Sequence, residues 1–143
     1  MARIKIEESI QYLFATETEI RISDINYGGH LGNDRLLTFA HDARIKFLKQ
    51  FNYTENNIEN LGIIMNDAAL VFKSEGFLGN RIKIEIGLAD ISRAGCDFIY
   101  KMTNLTTNKI LALVKTGIVF FDYSERKVKQ IPGQFLNRIY SKQ

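Results

Sequence analysis

The residue order predicts an α+β fold, one antiparallel sheet with a single long helix laid on one face. Three observations lead there. Leu36, Ala40, Ala43, Phe47 and Phe51 recur at helical spacing over about residues 31–51, with Leu37 and Leu48 widening the stripe. After residue 62 the period falls to two, and four strand-like segments succeed one another through hairpin-length turns. One short strand precedes the helix, so the order is strand, helix, strands, which suits a sheet of about five strands with a helix layered on it.

Taken in order, residues 17–23 set Ile20 and Ile22 among Glu and Thr, a strand pattern. The stretch Asp24-Ile25-Asn26-Tyr27-Gly28-Gly29-His30-Leu31-Gly32-Asn33-Asp34 is a loop whose glycines permit positive φ or close backbone approach. Asn33 is placed to cap the helix. Asp34, Thr38, His41, Asp42 and Lys49 then occupy its solvated side. Residues 53–61 form a polar, asparagine-rich connection. Residues 63–75 make a strand, 76–80 a turn, and 81–91 a strand with Ile82, Ile84, Ile86 and Leu88 on one face. Residues 92–95 turn again, and 96–104 alternate through Phe98, Tyr100 and Met102. Thr106-Thr107-Asn108 is a hairpin turn. Residues 110–122 are the most apolar strand, which belongs inside the sheet. Pro132 and the basic tail to Gln143 are expected to end the compact region.

The 143 residues suit one domain, 1–143, without repeats or linkers. At 45% hydrophobic and 24% charged the composition is that of an ordinary globular protein. A lone cysteine, Cys96, excludes an internal disulfide framework and suggests a reducing compartment. No apolar run is long enough to span a membrane, and the first residues lack signal-peptide order, so the expected location is cytoplasmic. The net charge is only +3, with basic residues scattered, which argues against a nucleic-acid partner. The two histidines have no ligand spacing with other donors, so no metal is expected. A sheet covered on one side leaves its other face to solvent or a partner, and a homo-oligomer is expected.

Residues 24–34 are the part of the chain densest in proton-transferring and hydrogen-bonding groups. Asp24-x-Asn26-x-x-Gly29-His30-x-x-Asn33, followed on the helix by Ala43-Arg44, resembles the loop and central helix of hot-dog-fold acyl-CoA thioesterases. The branch is the one that includes 4-hydroxybenzoyl-CoA thioesterase. Ser92-Arg93-Ala94-Gly95 and the ending Gly117-Ile118-Val119-Phe120-Phe121-Asp122 extend the resemblance over about residues 17–123.

The resemblance implies a hot-dog fold, with the sheet wrapped around one long central helix, in homodimers or homotetramers with active sites at the subunit interface. It also implies hydrolysis of a small or medium acyl-CoA or acyl-carrier thioester, with coenzyme A as part of the substrate and no other cofactor. The thioester carbonyl would meet the helix N-terminus near the Asn33 amide, where N–H groups stabilise an oxyanion. A loop carboxylate would act as general base or nucleophile. His30, Gly29, Tyr27 and Asn33 would contact the substrate. As for the basic residues at strand ends, Arg93, with Lys73 and Arg81, could hold the CoA phosphates or simply be solvated cations.

One position departs from the family pattern. The catalytic Asp, four residues before the histidine, falls on Asn26. A carboxamide takes no proton near neutral pH and forms no anhydride. Asn26 is left to orient the carbonyl or make an Asx turn, and Asp34 or Asp24 to supply the acid. The bland alternatives are a helix-stabilising Asp34, a turn-capping Asp24 and a loop-holding His30. Two other functions stay open: an acyl-CoA-binding module without turnover, and an enoyl-CoA hydratase of the related branch. For the hydratase, Asp24-Ile25-Asn26 begins the motif, but Tyr27 replaces its proline and His30 comes one position late.

Overall fold

The helical stripe forms α1 (Arg35–Lys49), which buries Leu36, Phe39, Ala40, Ala43, Phe47 and Leu48. Asp34, Thr38, His41, Asp42 and Lys49 stay exposed on its other side. The computed structural model describes residues 3–9 and 11–141. Two details of the helix differ from expectation. Leu37 is 36% exposed, and Phe39 takes its place in the buried stripe. The helix also starts a turn late, because Leu31 bridges to Ile25 and Gly32 N–H donates to Asp24 O instead of entering the helical ladder. The N-cap position therefore falls on Asp34 rather than Asn33, and no side chain caps it.

The strands are β1 (Tyr12–Glu19), β2 (Gly62–Phe72), β3 (Arg81–Ala89), β4 (Gly95–Asn104), β5 (Lys109–Asp122) and β6 (Lys127–Val128). All pairings are antiparallel, in the order β1-β3-β4-β5-β2, with β6 on β5. Among the described residues there are thus six strands and two α-helices rather than five strands and one helix. β1 begins and ends earlier than the 17–23 pattern suggested. Its register against β3 runs from Tyr12 opposite Gly87 to Glu19 opposite Arg81, after which Ile20 N–H donates to Asn80 O and the chain leaves the sheet. Residues 12–14 lack the alternation that a sequence pattern needs, so pairing alone reveals them as strand. β5 lies inside the sheet as its apolar run implied.

The C-terminal segment is a correction. Residues 133–141 do not trail from the domain but form α2 (Gly133–Ser141), whose Phe135 and Ile139 are fully buried. These residues lie four apart, one turn of helix, and so share a face. The Phe135 ring lies 5.4 Å from that of Phe120. Arg138 Nη2 donates to Phe51 O at 2.9 Å, and its guanidinium stands 4.8 Å over the Tyr53 ring. Basic residues at the end of the chain masked this short amphipathic pattern.

Between α1 and the inner sheet face lies one apolar core. Phe47 meets Phe14, Phe51 and Phe98 at centroid distances of 5.8, 5.6 and 6.2 Å. One charged side chain crosses this core. Arg44, 4% exposed, donates from Nε to Glu55 Oε2 at 2.6 Å and from Nη1 to the Tyr100 hydroxyl at 2.9 Å. The Tyr100 hydroxyl lies 2.8 Å from Thr116 Oγ1, and His41 Nε2 lies 2.9 Å from Glu55 Oε1. Burial acts to raise the Glu55 carboxyl, but hydrogen bonds from Arg44 and His41, and their charges, outweigh it and hold the group below its ordinary range. No helix among the described residues is long and apolar enough to cross a membrane.

Two outcomes follow for stability. Phe135→Ala should cost about 3 kcal/mol through the cavity it leaves, measured by urea unfolding. Glu55→Gln should cost about 3 kcal/mol at neutral pH because it strands the Arg44 charge, the low end of the range since Glu55 is 28% exposed. A depressed carboxylate stabilises the fold fully above its unfolded pKa, and that contribution is lost as pH falls through the folded one. The gap between wild type and Glu55→Gln should therefore close as the solution is acidified.

Candidate active site

The site is built around the loop that joins β1 to α1. After Ile20 the chain makes a single 3₁₀ turn, Ile22–Asp24. Asp24 is 6% exposed, and both its carboxylate oxygens are engaged. Oδ2 accepts the Arg21 N–H at 2.9 Å and Oδ1 accepts Arg35 Nε at 3.1 Å. Its carbonyl accepts the Gly32 N–H at 2.9 Å. Asp24 thus ties both ends of the loop to the first turn of α1.

Within the loop, Asn26 N–H donates to His30 O at 2.9 Å, and Asn26 O accepts the Gly29 N–H at 3.1 Å. Asn26 Oδ1 also accepts the Gly28 N–H at 2.9 Å and stands 3.4 Å from His30 N, so the carboxamide serves an Asx turn. Gly29 has φ +84, which a side chain would strain. A Cβ on Gly32 would stand 2.8 Å from Asp34 Oδ1, which places the Asp34 carboxylate over Gly32.

Across from this loop runs the turn after β2, fastened to it by a hydrogen bond from Leu31 N–H to Gly76 O at 2.8 Å. Between the two lies a cavity of about 110 Å³. His30, Leu31, Gly32 and Asn33 bound it on one side; Phe72, Ser74, Glu75 and Gly76 bound it on the other, with the buried Leu36 and Leu111 closing it. The Asn33 amide has no acceptor among the described residues. It stands one residue ahead of the N-cap Asp34, just outside the helical ladder.

Of the residues singled out from sequence, His30, Asn33 and the Gly32 backbone meet at the cavity. His30 Nδ1 lies 3.4 Å from Leu31 O. Gly29 and Asn26 shape the loop from outside the lining. Asp34 is exposed at the N-cap position, also outside the lining, and forms no ion pair among the described residues. Tyr27 projects fully into solvent. Arg93 sits in the turn between β3 and β4, at the far end of the sheet from Asn80, roughly 30 Å away by the rise of a strand. Arg81 is engaged by Glu17 at 3.1 Å, while Lys73 is exposed beside the lining residues Phe72 and Ser74. Cys96 is buried, with its thiol pushed up to about 12 by burial and then by Asp97, so it is no nucleophile at neutral pH.

Sequence reasoning missed the second wall, Phe72 to Gly76, and with it Glu75. A charged residue ahead of a turn glycine carries no sign of what lies opposite. The wall is about forty residues away in the chain, and only the tertiary fold brings it to the loop.

Residues 20–139 match the model of a family described as the thioesterase-like superfamily. No curated protein matches the chain. Among solved structures it is similar to a 1,4-dihydroxy-2-naphthoyl-CoA thioesterase from Synechocystis, with 19% identity and a TM-score of 0.79, over 89% of this chain and 95% of that one. It is also similar to a probable thioesterase from Escherichia coli, with 16% identity and a TM-score of 0.75, over 88% and 95%. A Staphylococcus aureus protein in complex with CoA gives 12% identity and a TM-score of 0.80, over 96% and 87%. At these identities the likeness is one of fold.

The clamp made by Asp24 leads to a test of its role. Asp24→Asn should lower unfolding stability by about 2 kcal/mol, since it removes a buried anion hydrogen-bonded to a cation and an amide. A variant as stable as wild type would overturn the structural role and return Asp24 to the candidate bases.

Proposed function

Because the chain belongs to the thioesterase-like superfamily, whose match spans residues 20–139, we propose that it hydrolyses the thioester of a small or medium acyl-CoA. The observation that carries this reading is the Asn33 amide just ahead of α1, unpaired among the described residues and in the wall of a cavity lined in part by Leu31, Leu36, Phe72 and Leu111. The thioester carbonyl oxygen accepts from this amide, where the positive end of the helix stabilises negative charge as it develops. Leu31, Leu36, Phe72 and Leu111 receive the acyl group. Asn26 takes no proton; it holds the loop that presents the amide. Water is activated by an acidic side chain at the opening, where Asp34 and Glu75 are both unengaged among the described residues.

That a Staphylococcus aureus protein of the same fold is in complex with CoA supports coenzyme A as the acyl carrier. Lys73, next to the cavity, suits its phosphates. Arg93 reaches the site only from a second copy of the chain. A homodimer is supported by β2, an eleven-residue edge strand whose outer side is unpaired among the described residues and which exposes Ile64, Met65 and Phe72. No cofactor beyond coenzyme A enters the reaction. A binding module without turnover is the second reading, favoured by the carboxamide of Asn26 being given over to its turn.

The purified protein should release free thiol from at least one of butyryl-, octanoyl- and benzoyl-CoA, followed with a thiol reagent. Saturable binding of these thioesters without thiol release would assign the chain to the binding modules. Loss of enoyl absorbance from crotonyl-CoA without thiol release would make it a hydratase.

A further inference from the structure

We infer that Glu75 is the general base of this site. The inference rests on the hydrolase reading above and supplies the carboxylate that Asn26 lacks. Four observations carry it. Glu75 is the one acidic side chain among the described residues that line the cavity; Asp34 stands outside the lining and Asp24 is sealed by its partners. The Glu75 carboxylate has no hydrogen bond or ion pair among the described residues, so its lone pairs are free for water.

Its backbone is nonetheless held on both sides. Ser74 Oγ donates to Ile110 O at 2.7 Å and Ser74 N–H to Leu111 O at 3.2 Å, while Gly76 O accepts the Leu31 N–H at 2.8 Å. The fourth observation is Gly76 itself. A Cβ there would stand 2.7 Å from Ile20 Cδ1 and 3.5 Å from Leu31 Cβ, so glycine lets this turn lie close against the loop, with Glu75 and Asn33 on opposite walls of the cavity.

The chemistry closes without any further group. A water between the two walls gives a proton to the Glu75 carboxylate as its oxygen bonds to the thioester carbonyl carbon. The carbonyl oxygen becomes an oxyanion at the Asn33 amide. When the oxyanion collapses, the carbon–sulfur bond breaks, and the departing thiolate takes the proton from Glu75. The products are the carboxylic acid and the free thiol of coenzyme A, and the carboxylate is regenerated. Base catalysis of this kind contributes about 10²–10⁴-fold to a rate.

The test uses wild type, Glu75→Gln and Glu75→Asp on butyryl-, octanoyl- and benzoyl-CoA. Glu75→Gln should cut kcat on the order of 10²-fold, with KM and the thermal midpoint unchanged, because the side chain is exposed and unpaired. Glu75→Asp should recover part of the loss. A Glu75→Gln enzyme that keeps wild-type kcat, or loses KM alone, overturns the role of Glu75 and leaves the hydrolase reading standing. A wild-type chain that releases thiol from none of the three overturns the hydrolase reading, and Glu75 as its base with it.

Discussion

The buried carboxylate of Asp24 is the contact on which the site's geometry depends. It holds Arg21 on one side of the loop and Arg35 on the other, while its carbonyl takes the Gly32 amide. These bonds bring the chain into α1 with Gly32 already engaged and Asn33 next in line with its amide free. α1 has no acidic residue in its first turn and no capping side chain. Arg35 adds positive charge where the helix is already positive, and Asp24 offsets it.

A helix can present an amide to a ligand only if it does not shift on the sheet. Here the other end and the middle of α1 are secured by different means. Phe47, with three aromatic neighbours, fills the core below it. Arg44 reaches through the core to Tyr100 on β4 and outward to Glu55 in the connection to β2, so one side chain links helix, sheet and loop. α2 adds Phe135 under Phe120 and Tyr53, with Arg138 bonded to the carbonyl of Phe51 just beyond the helix end. Rigid support of this kind is what holds a binding group in place.

The cavity lies where the tip of α1 meets the end of β2, the strand at the edge of the sheet. Its two walls belong to segments far apart in sequence, joined by the bond from Leu31 to Gly76. Phe72 belongs both to that edge and to the cavity. The cavity's opening is thus close to the surface that an edge strand offers to another chain.

Much of the fold could be read from the chain because burial is periodic. The stripe of α1 and the alternation of β3 and β4 follow from a single apolar face meeting a single core, and residues such as Ile82, Ile84, Ile86, Phe98, Tyr100 and Met102 are buried as that pattern requires. The loop from Asp24 to Asp34 was also legible, since glycines and carboxamides packed between a strand and a helix stand out. Composition and spacing could not say which partner each side chain would find. Asp24 and Glu75 are both carboxylates beside a turn, yet one is sealed by two arginine residues' donors and the other is exposed at the wall of a cavity. The partners of Asp24 lie within 11 residues of it, whereas the pairing of β2 with β5 brings Glu75 to the loop and leaves β2 at an edge. Local sequence sets which groups are present and which face is apolar; long-range pairing sets which of those groups meet, because no residue carries the identity of a distant neighbour.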